Sequence, residues 1–132
     1  VIPVDVEDNI LLVEQFRLPT GKELLEIPAG GIEPGEDAET TVRRELREEI
    51  GYLPRKVTRL GGFYSAPGYC TEYLHLYMAT DLTPSPLYAE DTESIKPVRV
   101  PVGKITELID SGTICDAKSV AGLLTFLKYR KS

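Results

Sequence analysis

Three glutamates, Glu45, Glu48 and Glu49, lie close together in a segment from Asp37 to Ile50 that reads as a helix capped by Gly51. At about 100° per residue their side chains fall within an arc of about 100°. Ala38, Val42, Leu46 and Ile50 form the apolar stripe of the same helix, with Glu49 among them and Glu45 at the margin. The carboxylates are therefore expected to face the fold. Glu45 and Glu49 are a like-charge pair four residues apart, which destabilises a helix unless a positive charge lies between them. A hard divalent cation with oxygen ligands meets that need, and Mg²⁺ bridging substrate phosphates suits it best. The competing reading is a solvated helix laced by the pairs Glu39–Arg43 and Arg44–Glu48. The placement beside the core stripe, and the loop ahead of the helix, weigh against it.

That loop, Ala29-Gly30-Gly31-Ile32-Glu33-Pro34-Gly35-Glu36, lets the backbone approach a ligand closely and offers a bare carbonyl at Ala29 as a further oxygen donor. Loop and helix together read Gly30, five residues, Glu36, seven residues, then Arg44-Glu45-Leu46-Arg47-Glu48-Glu49-Ile50-Gly51-Tyr52. This resembles the Nudix box, G-(5)-E-(7)-R-E-U-x-E-E-x-G-U with U a bulky apolar residue, at every fixed position; only Tyr52 is an unusual choice for its place.

The resemblance implies a hydrolase that cleaves a nucleoside diphosphate linked to another group, on a Nudix-type α/β/α sandwich with a mixed β-sheet. Carried over by position, Glu45 and Glu49 would be the principal ligands of Mg²⁺, with Mn²⁺ as the substitute. Glu48, Glu36 and the Ala29 carbonyl would contribute, Glu48 also counting among the catalytic groups. Arg44 would orient the glutamates through ion pairs. The chemistry is metal-assisted substitution at phosphorus.

Outside the box the chain is similar to ADP-ribose pyrophosphatases. The run Gln15-Phe16-Arg17, the segment Leu25-Glu26-Ile27-Pro28-Ala29-Gly30, Pro67 and Gly68 in Ser65-Ala66-Pro67-Gly68, Glu72, and the tail Ser111 to Lys118 carry this likeness. It implies substrate contacts from Arg17, Glu26, Pro67, Gly68 and Glu72, with Arg17 on the diphosphate. It also implies a general base from an acidic loop, here Glu90-Asp91-Thr92-Glu93, where Glu93 matches best and Glu90 and Asp91 stay open. The expected reaction splits ADP-ribose or a related ADP-sugar into AMP and a sugar phosphate. GDP-mannose, another nucleotide-sugar or a nucleoside triphosphate is the alternative substrate. A module that binds ADP-ribose without cleaving it is the rival from another class, disfavoured because every box carboxylate is present.

The elements that must position these groups follow from pattern. Residues 1 to 6 and 10 to 16 read as strands, as do 24 to 27, 56 to 64, the alternating run 72 to 82, and 95 to 102, where Pro97 suggests an edge. A polar stretch from 83 to 94 separates the last two. Helices are expected over 102 to 111 and from Asp116, the latter with the stripe Val120, Leu123, Leu124 and Leu127. Strands, helix, strands, then helices is not a regular βαβ winding.

With 132 residues, 42% of them hydrophobic and 27% charged, the chain has the make-up of one globular domain over 1–132. Its net charge of −6 argues against nucleic acid or an anionic membrane as partner. Its apolar runs fall short of the ~18 residues of a membrane span. Cys70 and Cys115 are in no metal-ligand spacing and are expected free in a cytoplasmic protein. The subgroup carries extra N-terminal strands that build a homodimer and part of the adenine pocket. A homodimer is accordingly expected here, although the sequence opens at Val1 where those strands would have ended. The lone His75, on the same face as Tyr73 and Tyr77 of an alternating strand, reads as a packing or hydrogen-bonding residue.

Overall fold

A computed structural model describes residues 1–131. The elements are β1 (Ile2–Pro3), β2 (Asn9–Arg17), β3 (Lys22–Glu26), α1 (Ala38–Glu49), β4 (Tyr52–Tyr64), β5 (Tyr73–Pro84), β6 (Lys96–Pro101), α2 (Ile105–Asp110) and α3 (Ala117–Arg130). They form two three-stranded sheets rather than one. In the mixed sheet, ordered β1-β5-β4, β1 runs parallel to β5 and β4 antiparallel to it. The other, β3-β2-β6, is antiparallel, and an isolated bridge from Val4 to Ile10 joins the two.

The sheets are covered on both sides. Val42, Leu46 and Ile50 of the α1 segment pack with Leu11, Val13, Tyr77 and Ala79. On the opposite side Leu123 and Phe126 of α3 and Ile105 of α2 pack with Ile2, Ile10, Leu12, Leu76 and Val100. Period-two alternation produces this division: in β5, Leu76 points to the α3 side while Tyr77 and Ala79 point to α1. The result is the expected α/β/α sandwich.

Two departures from the sequence reading have local causes. The first strand is only two residues long, because Asp5 accepts the backbone N–H groups of Glu7 and Asn9 and turns the chain there. Beyond that turn Val6 stands exposed. β4 begins at Tyr52, directly after Gly51, and carries a bulge between Arg59 and Gly61. Pro97 lies on β6, which pairs only with β2 and is an edge as expected.

Candidate active site

Helix α1 starts where Asp37 accepts the Thr40 N–H at 2.7 Å. It ends where Gly51, at φ +79°, donates its N–H to the Leu46 carbonyl at 2.9 Å. These stops set the rotation of the helix, and the burial of Val42 and Leu46 turns Glu45 and Glu49 inward.

Arg44 is the hub. Its Nε and Nη2 donate to the two carboxylate oxygens of Glu36 at 2.7 and 3.0 Å, a bidentate fork. Its Nη1 donates to Glu45 at 2.9 Å and Glu48 at 3.3 Å, and Nη2 also reaches the Gly31 carbonyl at 3.1 Å. One guanidinium thus ties the glycine loop to three box glutamates. Arg44's hydrogen bonds, with those from Glu33 N–H and the Thr41 hydroxyl, hold the Glu36 carboxyl down at about 2. Glu36 is therefore engaged on both oxygens.

Glu45 and Glu49 behave in the opposite way. Burial pushes the Glu49 carboxyl up to about 8, with the charge of Glu45 adding to the effect. Burial also raises Glu45 despite its bond to Arg44. The Ala29 backbone lies close enough to Glu49 to act on its carboxyl, and Ala29 lines the same cavity as Glu45. Glu49 Oε2 is nonetheless buried with no hydrogen-bond partner. Gly30 lies so close to Glu45 that a Cβ there would overlap its carboxylate.

A buried like-charge pair with an orphaned oxygen, set beside bare glycine backbone, fits a hard divalent cation. Glu45, Glu49 and the loop at Ala29 would hold it. Among the described residues no three ligating side chains already converge on one point. Arg44 occupies the space between Glu45 and Glu48, so part of the cation's shell must come from substrate oxygens and water.

Arg17 and Glu26 form a second group. Arg17 Nε and Nη2 donate to Glu26 at 2.8 and 2.9 Å, and Lys118 Nζ donates to Glu26 Oε1 at 2.8 Å. Glu26 is only 2% exposed. Burial alone would raise its carboxyl, but the bonds from Arg17 and Lys118 outweigh it and the net shift is downward. With both oxygens engaged, Glu26 holds two cations in place. Arg17 remains partly exposed and within electrostatic reach of Glu49.

Lys118 also donates to Asp116, the N-cap of α3, at 3.1 Å. Ser119 ties the same turn to the strand end by accepting the Ile27 N–H at 2.9 Å. Lys118 and Asp116 had no local signal beyond belonging to the tail that resembles the subgroup.

Glu72 lines a cavity of about 270 Å³ together with Gly30, Ile32, Glu45, Tyr73 and His75. Pro67 and Gly68 lie on an exposed turn, closed by the Ala66 carbonyl, and border neither that cavity nor the next. A second cleft, about 360 Å³, separates Arg47 and Glu48 from the loop residues Leu87, Tyr88, Thr92 and Glu93. Glu93 accepts the Tyr88 hydroxyl at 2.8 Å there, while the charge of Asp91 acts on Glu45. His75 is exposed, its Nδ1 lies 2.8 Å from Arg59 Nη1, and its ring stacks edge-on to Tyr73.

The NUDIX domain family matches residues 1–122, and the chain belongs to that family. It is 36% identical to the ADP-ribose pyrophosphatase of Bacillus subtilis (strain 168), over all of this chain and 72% of that protein. The ADP compounds hydrolase NudE of Escherichia coli (strain K12) is 28% identical over 99% of this chain and 70% of its own length. A crystal structure of an ADP compounds hydrolase superposes with a TM-score of 0.91 at 27% identity, covering 98% of this chain and 71% of that one.

Proposed function

We propose that the protein hydrolyses the diphosphate bond of ADP-ribose or a closely related ADP-sugar, releasing AMP and a sugar phosphate, with Mg²⁺ as the working cation. The observation that carries the chemistry is the buried Glu45–Glu49 pair with its unpartnered oxygen. The substrate class rests on the two relatives, each matched over about 70% of its own length, and the superposed structure, all of which act on ADP compounds by their names.

A bound cation supplies charge neutralisation at the diphosphate and makes a water more acidic. The chain's own groups do the remaining work. Arg44 keeps the carboxylates in register, and Glu26 holds Arg17 at the site's edge, where its remaining N–H groups would donate to a phosphate oxygen of the substrate. Lys118, held by the same Glu26, adds positive charge near Glu49. Glu72 lies on the cavity wall, suited to a sugar hydroxyl. The Pro67–Gly68 turn is proposed to order the segment leading to Glu72.

The base comes from the acidic loop. Glu93, fixed by Tyr88 beside the cleft at Glu48, is the proposed group, and Asp91 is its competitor through its closeness to Glu45. Replacing each by its amide separates them, because loss of the base costs about 10²-fold or more in kcat.

Among the described residues no helix is long and apolar enough to cross a membrane. The unpaired Cys70 and Cys115 support a reducing, cytoplasmic compartment. Exposed Phe16 and Leu18 at the end of β2 support a homodimer. The deciding experiment is a panel of ADP-ribose, ADP-glucose, GDP-mannose and a deoxynucleoside triphosphate with Mg²⁺, read by phosphate release after phosphatase treatment. ADP-ribose is expected to be cleaved fastest; binding without AMP release overturns the enzymatic reading.

A further inference from the structure

Arg47 stands at an unspecified place of the box, between Leu46 and Glu48, and faces away from the carboxylate cluster toward the loop after β5. Its Nε lies 3.1 Å from both the carbonyl and the hydroxyl oxygen of Ser85. Two backbone bonds repeat the attachment. Ser85 N–H donates to the Gly51 carbonyl at 2.8 Å, and Leu87 N–H donates to the Arg47 carbonyl at 3.1 Å. The carbonyls at and just beyond the last turn of α1, which a helix leaves without internal partners, thus become the seat of the loop.

The order of contacts gives the loop a direction. Ser85 meets Gly51, Leu87 meets Arg47, and Thr92 and Glu93 face Arg47 and Glu48 across the cleft. The chain therefore runs back along the last turn of α1, and its acidic segment stands opposite Arg47 and Glu48. From Ala89 to Glu93 the hydrogen bonds among the described residues stay within the loop: the Thr92 N–H and hydroxyl both donate to the Ala89 carbonyl, at 3.1 and 2.8 Å, and the Tyr88 hydroxyl donates to Glu93 at 2.8 Å. The acidic residues sit in this second part, so their reach toward the box is set where the first part is anchored.

We propose that Arg47 is a positioning residue: by holding Ser85 it fixes the register of the Ser85–Glu93 loop on α1 and so the approach of the acidic side chains to the metal-binding carboxylates. The proposal rests on the hydrolase reading for its effect on turnover, but the anchor itself does not.

The test pairs two measurements on Arg47→Met, which keeps the aliphatic stem and deletes the donor. Amide hydrogen exchange at Ser85 and Leu87 is expected to quicken at least about tenfold. With ADP-ribose and Mg²⁺, kcat is expected to fall about tenfold with KM within about twofold, as for a group acting on the transition state alone. Ser85→Ala removes one of the two acceptors outside the helix and is expected to move both readings the same way by a smaller factor. Wild-type exchange, or faster exchange with unchanged kcat, or a rise in KM alone, overturns the proposal. Wild-type protein that leaves ADP-ribose intact overturns the substrate reading instead, and the exchange measurement still decides the anchor.

Discussion

Lys118 and Glu26 are 92 positions apart, yet Lys118 Nζ sits 2.8 Å from Glu26 Oε1. Arg17 binds the same carboxylate through a two-point fork. A single buried anion therefore aligns a cation from β2 and a cation from α3 at one edge of the site.

Removing that anion leaves both cations without their anchor. Glu26→Gln is expected to raise KM for ADP-ribose about tenfold and to lower stability by about 2 kcal/mol, since one partner of a buried ionic group is lost. Steady-state kinetics and urea unfolding measure the two effects separately, and an unchanged KM would show that Arg17 and Lys118 do not meet the substrate.

Glu49 should make the metal-free protein sensitive to pH. Its carboxyl titrates at about 8 in the fold against 4.5 when unperturbed, so the folded chain keeps a proton that the unfolded chain releases. The contribution of Glu49 to stability then falls as pH rises through the window from about 4.5 to about 8 and levels off above it. Glu49→Gln removes this slope from the Tm-versus-pH curve. In its proposed role Glu49 would bind Mg²⁺ as the ionised carboxylate, so Mg²⁺ affinity should rise with pH over the same range, as calorimetric titration would show.

At Gly30 the site has no room for a side chain. Gly30→Ala places a methyl group on the Glu45 carboxylate, which must turn away. Mg²⁺ affinity and kcat are expected to drop by about tenfold or more, while the core and the circular dichroism spectrum stay unchanged. Wild-type Mg²⁺ binding in this variant would remove Glu45 from the metal shell.

Arg44→Lys keeps the charge and loses the fork. Glu36, held at about 2 mainly by the guanidinium, is expected to titrate closer to its ordinary 4.5, and kcat to fall about 10²-fold. NMR titration of the Glu36 side chain and initial rates test this together.

Much of the site was legible along the chain because it lies within one helix and the loop before it. Asp37, the stripe of Val42, Leu46 and Ile50, and the positive-φ Gly51 define α1 by near-neighbour effects, and the helical period alone turns Glu45 and Glu49 toward the core. The alternation in β5 likewise foretold which side chains face each layer. The division into two sheets was not readable, since strand pairing depends on which strands meet and not on their own periodicity.

The same boundary runs through the chemistry. Residue order placed the proposed carboxylate set, its glycine loop and Arg44 in one short segment, because hydrogen bonds and periodicity act over a few residues. Folding of the whole chain settled that Glu26 is spent on Arg17 and Lys118 and that Arg47 seats the acidic loop through Ser85. The Arg47–Ser85 anchor and the Glu26–Lys118 pair join segments 38 and 92 positions apart, and no local rule connects side chains over such separations until the sheets and helices have packed.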